Sequence, residues 1–218
     1  MPPDFGAGLS AFGRQPLFIR AKVQPMSDRT IDRQVKRTRE ALMRALTSLM
    51  FQRGFENVSV NRIVAEANVG RSTFYEHFKN KEDILAACMT PFFSVLADAA
   101  VSPTPPARLE AVLSHFWERR KLADAVFSGA ARLVIARLLT QLIEERLATL
   151  ANGAGKTAIP SHLAAVQLAE AELALLVAWL RGKARCSAAT LTQALHASAY
   201  ASARALSGAS SIKPLRGA

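Results

Sequence analysis

The chain has 218 residues, with 28 Lys+Arg against 17 Asp+Glu for a formal net charge of +11, and half of its residues are hydrophobic. That apolar share excludes a disordered chain and suffices for a buried core in one large domain or two small ones. Two cysteines, Cys88 and Cys186, make neither a disulfide framework nor a zinc-ligand spacing and fit a reducing, cytoplasmic setting, while the positive surplus points to a polyanionic partner.

Residues 1–28 carry Gly6, Gly8 and Gly13 with Pro2, Pro3, Pro16 and Pro25, and no helical or alternating period runs through them. They predict a flexible arm. Met26 and Ser27 stand just before the periodic sequence, a pattern that a genuine arm and a start assigned too far upstream both produce. The first residues lack the basic flank and apolar run of a secretory signal. From Asp32 the pattern is helical, with Val35, Leu42, Leu46, Leu49 and Met50 on one face. Thr30 or Asp32 is placed to cap this first helix, and Gly54 suits its end, with Phe55 folding back onto the last turn. Ser59 is a good N-cap for a short second helix whose inner face is Ile63, Val64 and Ala67. Asn68 tolerates a positive φ, so a tight turn belongs there. A third helix is predicted from Arg71 to Phe78, with Phe74 and Phe78 inward. Asn80 then caps a fourth, starting near Lys81 and packing Ile84, Leu85 and Cys88.

The rest reads as helices too. Pro103, Pro105 and Pro106 mark a break before the stripe Leu109, Val112, Leu113 and Phe116. Leu133, Val134, Leu138, Leu142 and Ile143 form a longer stripe that ends at Asn152-Gly153-Ala154-Gly155. Pro160 suits the first turn of a helix reaching Leu180, and Leu191, Leu195 and Leu206 sit in a last, Ala-rich helix after Gly182. Gln167, Glu170 and Glu172 interrupt the apolar run Leu163–Leu180. A spanning helix needs ~20 mostly apolar residues, so a buried helix is expected and no membrane partner. No segment alternates as a strand does. The predicted fold class is all-α: a helix-turn-helix head over 29–85 and a larger helical domain over 86–218.

The functional signal lies between Val58 and Lys81, VSVNRIVAEANVGRSTFYEHFKNK. A short helix, a turn at Asn68-Val69-Gly70 and a second short helix make a helix-turn-helix, whose second helix offers its N-terminal end to a major groove. Arg71, Ser72, Tyr75 and Glu76 fall on the side away from Phe74 and Phe78. Arg71 can hold a guanine edge with two hydrogen bonds or pair with a phosphate. Tyr75 offers a hydroxyl to a phosphate, and Lys81 places a charge at a helix N-terminus, where phosphates bind. The basic run Arg29, Arg33, Lys36, Arg37 and Arg39 abuts this surface. Arg33 to Lys81 holds ten Lys+Arg and four Asp+Glu, a local net of +6.

The stretch Val35 to Leu85 resembles the DNA-binding domain of the TetR family of transcriptional regulators. The resemblance is carried by Gly54-Phe55, Ser59, Ile63, Ala65, Ala67, Val69, Thr73-Phe74-Tyr75, His77-Phe78, Lys81 and Ile84-Leu85. Asn68 stands where Gly is common, and Gly70 where Ser or Thr usually caps the recognition helix. Asn tolerates the same backbone, and Gly caps less well by only a few tenths of a kcal/mol. The family implies a three-helix head and a helical body that binds an effector and dimerises through the last two long helices. The expected DNA contacts are Lys36, Arg37, Ser59, Asn61, Arg62, Arg71, Ser72, Thr73, Tyr75, His77 and Lys81. His115, Phe116, Phe127 and Trp179 are the candidates to line an effector pocket, and the expected dimer interface is built from about Ser161–Leu180 and Ala188–Leu206, with Leu176 in its seam.

The function expected is a homodimeric, cytoplasmic repressor of a palindromic operator, released by a small molecule; an activator would use the same head. An enzyme is not expected, with no catalytic or metal site and no cofactor. The four histidines and two cysteines show neither His-x-x-x-His nor Cys-x-x-Cys spacing. A membrane-surface protein would need its basic residues opposite a strong apolar stripe on one free helix, and they are not so arranged.

Overall fold

In a computed structural model the structure describes residues 28–151, 159–183 and 185–206. The predicted arm, apart from Asp28, and the predicted Asn152–Gly155 break lie outside the described residues. The described chain is helical, in the order α1 (Asp28–Arg53), a single 3-10 turn (Phe55–Asn57), α2 (Val60–Ala67), α3 (Arg71–His77) and α4 (Lys81–Val101). Then follow α5 (Leu109–Glu118), α6 (Arg120–Val126), α7 (Gly129–Ala151), α8 (Ser161–Leu180) and α9 (Ala188–Leu206). The fold class is all-α, with no strand among the described residues.

The head is α1 to α3 with the start of α4. Leu42, Leu46, Leu49 and Met50 of α1 bury their side chains against Ile63, Phe74, Ile84 and Leu85. The buried stripe of α1 starts at Leu42; Val35, expected on it, is 40% exposed. α1 also begins at Asp28, so Thr30 and Asp32 are helical residues rather than caps. Gly54 has φ 75° and ψ 152°, a conformation open to glycine, and this bend seats Phe55 in the core.

α4 is shared. Its first turn closes the head and its remainder packs against α7, α9 and α5. It runs unbroken for 21 residues with Pro91 inside it. Pro91 is exposed, so its ring lies on the solvent side, where a missing backbone N–H is tolerated best. α4 and α8 are both long and apolar enough to cross a membrane by length and composition, and half of each apolar window is buried among the other helices.

The phase of α7 differs from expectation. Ala131, Ile135, Leu139, Leu142, Ile143 and Leu147 are buried, whereas Leu133 is 58% exposed and Val134 and Leu138 are half-buried. α7 packs on both α4 and α8 and is apolar around most of its circumference, so its neighbours choose the phase. On α8 the four-residue spacing of Ala164, Leu168, Glu172, Leu176 and Leu180 faces the core, and Leu163, Val166 and Leu175 face out.

Candidate nucleic-acid interface

The turn between α2 and α3 is built from local chemistry. Ser59 is extended, and its Oγ accepts the Arg62 N–H at 3.4 Å, which starts α2. Asn68 ends it in the left-handed region at φ 53° and ψ 49°, and Val69 N–H returns to the Val64 carbonyl at 3.0 Å. Gly70 opens α3 without a side-chain cap. At the far end Asn80 Oδ1 accepts the Asp83 N–H at 2.8 Å while Asp83 Oδ2 accepts the Lys79 N–H at 2.9 Å, a reciprocal pair that fixes the first turn of α4.

These turns hold α3 by one side only. Phe74 is fully buried, and Phe78 lies just beyond the helix in the same core. Arg71, Ser72, Tyr75 and Glu76 are all exposed. Tyr75 is 52% exposed with its ring edge against Phe74 at 5.1 Å, so the hydroxyl end stands clear of the core. Thr73 is half-buried. On α2, Asn61 and Arg62 are exposed, as are Ser59 before it and Lys36 and Arg37 on α1.

Two of the expected contacts, Lys81 and His77, and Arg39 of the basic run make contacts within the head. The Lys81 ammonium donates to the carbonyls of Phe55 at 2.9 Å, Glu56 at 3.3 Å and Val58 at 2.9 Å, and lies 4.5 Å from the centre of the Phe55 ring. An ammonium has three protons, and all three are used inside the head. Its three donors are therefore engaged within the head, and none is left for a hydrogen bond to a phosphate. Arg39 donates from Nη1 to the His77 carbonyl at 3.2 Å and covers the Phe78 ring at 4.5 Å. It ties α1 to the end of α3, while Lys36 and Arg37, three and two residues earlier, are exposed. His77 is half-buried, and the hydrogen bond it makes here is through its backbone.

A residue the sequence did not single out joins the head to the body. Glu56 Oε1 accepts the Ala130 N–H at 3.0 Å, across 74 residues of sequence, and so caps the N-terminus of α7. Gly129 precedes it at φ +53°, and a Cβ there would run into that same Glu56 oxygen.

In the body, His115 and Phe116 line a cavity of about 200 Å³. Phe127 and Trp179 do not. Phe127 is buried behind Phe116 at a centroid distance of 5.7 Å and contributes to the core. Trp179 stacks on Trp117 at 4.7 Å and donates its indole N–H to the Cys186 carbonyl at 3.0 Å, which pins the loop after α8. Leu176, expected in the seam, is fully buried within this chain, and its exposed neighbour Leu175 faces out. Glu172 is buried and its two carboxylate oxygens have no partner, so desolvation raises its pKa well above the ordinary carboxylate value. Among the described residues no group of His, Cys, Asp and Glu could hold a metal ion.

A three-helix head that buries one face of α3 and exposes its polar, Arg-bearing face defines a helix-turn-helix DNA-binding protein. Residues 42–88 match the family model of bacterial regulatory proteins, tetR family. The regulator TcmR of Streptomyces glaucescens is 28% identical over 153 residues, covering 68% of this chain and 55% of TcmR. YxbF of Bacillus subtilis, an uncharacterised regulator of the same helix-turn-helix type, is 37% identical over 59 residues, covering 27% of this chain and 16% of YxbF. The chain thus spans little more than half of these curated relatives at most. A TetR transcriptional regulator structure from Streptococcus agalactiae aligns with a TM-score of 0.49 and 24% identity over 78% of this chain and 98% of that one. The head of this chain is thus similar to the DNA-binding domains of TetR-family transcriptional regulators.

Proposed function

We propose that this chain acts as a homodimeric repressor on a palindromic operator and is released by a small-molecule effector bound in its body. The carrying observation is the exposed face of α3, where Arg71, Ser72 and Tyr75 stand together on a helix anchored by Phe74. Lys36, Arg37, Ser59, Asn61, Arg62 and Thr73 complete the contact surface, as phosphate and groove-edge partners. The head is residues 29–85, the body 86–218 and the arm 1–28, and the setting is the cytoplasm.

Dimerisation is supported by α8 and α9. Leu163, Val166 and Leu175 are exposed apolar side chains of α8, and the outward residues of α9 include Ala194, Ala197, Ser198 and Ala201. Small residues let two helix pairs approach closely. A symmetric pair must set its recognition helices ~34–36 Å apart to enter successive major grooves, which demands a two-fold symmetric site.

Selection of bound duplexes from a random pool tests the reading. A palindromic consensus is expected. Arg71→Ala should relax preference at one position of each half-site and weaken binding by ~1–3 kcal/mol. Tyr75→Phe should weaken all duplexes alike by a smaller amount, because it loses a phosphate contact. Failure to enrich any sequence overturns the proposal.

A further inference from the structure

The cavity at His115 and Phe116 is formed where α1 of the head meets α4, α5 and α6. Protein interiors rarely keep a void much larger than one water, because its walls lose their packing partners. A cavity of about 200 Å³ therefore reads as a place for an occupant. Size limits that occupant, since an apolar cavity of roughly 150 Å³ holds a benzene. One six-membered ring with a substituent fits.

The walls fit a flat ring. Phe92 and His115 stack at 5.2 Å with 17° between their planes, and Phe116 tilts against Phe92 at 5.5 Å. Met50 from α1 and Met89 and Cys88 from α4 present soft sulfur, which packs well on aromatic edges. Burial pushes the Cys88 thiol up to about 11, so it stays neutral and offers nothing to a cation. Thr47 and Arg119 are the exposed members of the lining and mark the mouth. Arg119 is the one lining residue with a permanent charge, it makes no ion pair among the described residues, and Arg120 and Lys121 follow it.

We infer that this cavity binds a single-ring aromatic carboxylate, with the ring between Phe92, Phe116 and Met50 and the carboxylate at the mouth on Arg119. The guanidinium matches a carboxylate with two parallel hydrogen bonds. The inference rests on the reading of the chain as an effector-released regulator and names the effector's chemistry. It also places the effector at a joint, because α1 belongs to the head while α5 and α6 belong to the body. An occupant there touches both parts, so its affinity depends on how they are set. Linkage then requires benzoate and operator to weaken each other by the same factor.

The test is calorimetry of benzoate on the full chain, with benzamide as the control for charge. Benzoate is expected to saturate one site per chain and benzamide to bind about tenfold more weakly for want of the charge-assisted pair. Arg119→Ala, at an exposed position, should cost benzoate about tenfold in affinity. Ala123→Leu, which fills the cavity from α6, should abolish benzoate binding while the melting temperature holds or rises. No benzoate binding at millimolar concentration, equal affinity for benzamide, or benzoate binding indifferent to Ala123→Leu overturns the inference. Duplex binding by the ligand-free chain reads the regulator function separately. A chain that binds duplex but not benzoate sinks the cavity assignment alone, and one that binds benzoate but no duplex sinks the regulator reading.

Discussion

In the head, a single cation, Lys81, meets three carbonyls, Arg39 meets a fourth, and Ser59 and Asn80 cap the starts of α2 and α4. In the body, the long helices are apolar around much of their circumference, Glu172 is buried with no partner, and a cavity is left open under α5 and α6. The head is a small unit that must hold α3 still, and it does so with polar ties that admit one geometry. The body has area to spare for burial, and its packing tolerates a void and an unpaired carboxyl. Rigidity sits where the proposed regulator would read a groove, and looseness where its proposed effector would enter.

The strongest way to break this comparison is at α8. Leu176→Asp should cost about 4 kcal/mol or more and unfold the body, because it buries a charge at a fully enclosed position. Leu175→Asp, one residue away and 40% exposed, should leave the fold intact and yield monomers by light scattering. A folded Leu176→Asp protein would mean that the body core is assigned to the wrong face.

Lys81→Met tests the head. Denaturant unfolding should show a loss of about 2 kcal/mol, since three carbonyls lose a charged donor. Unchanged stability together with a shallower salt dependence of duplex binding would return Lys81 to the phosphates.

Glu172 tests the body. Its carboxyl keeps its proton to higher pH in the folded chain than in the unfolded one, where the value is near 4.5. The native state then binds more protons than the unfolded state above that pH. Stability from this site is therefore full below pH 4.5 and is lost as pH rises toward the folded value. Glu172→Leu should remove that slope and add about 1–2 kcal/mol at neutral pH. Melting temperatures measured across pH would expose a partner for Glu172 if the substitution destabilised the protein instead.

The smallest effect is expected at the seam between the two regions. Gly129→Ala should cost about 1 kcal/mol, from its positive φ and from displacing the Glu56 carboxylate off Ala130. In a Glu56→Ala background part of that cost should vanish, and a double-mutant cycle measures how much. Strict additivity would show that the capping bond carries nothing.

What the sequence revealed follows the same divide. Ser59, Asn68 and Asn80 were legible because a cap acts over three or four residues, and the short helices begin where those residues put them. Phe74 and Phe78 followed from spacing. The phase of α7 was not legible, because a helix apolar on several sides takes its orientation from α4 and α8. The roles of Lys81, Arg39 and Glu56 were hidden for another reason, since their partners lie 23 to 74 residues away. Sequence placed Lys81 correctly at a helix start, and three distant carbonyls gave it a different task. The short helix α6 and the corner at Arg119 escaped notice too, and with them the wall that closes the cavity.

Pro91 divides α4 into a part that belongs to the body and ten residues that reach the head. Those ten residues are a lever of ~15 Å at 1.5 Å per residue. A tilt of roughly 10° about Pro91 swings the Lys81 end by ~2.6 Å on that same rise. In a symmetric pair the two swings add, and ~5 Å is a large error against a groove repeat of ~34 Å. In the proposed regulator, a proline on the outer side of one helix would set the mechanical gain: small rearrangements around a ring-sized ligand would arrive at the duplex magnified.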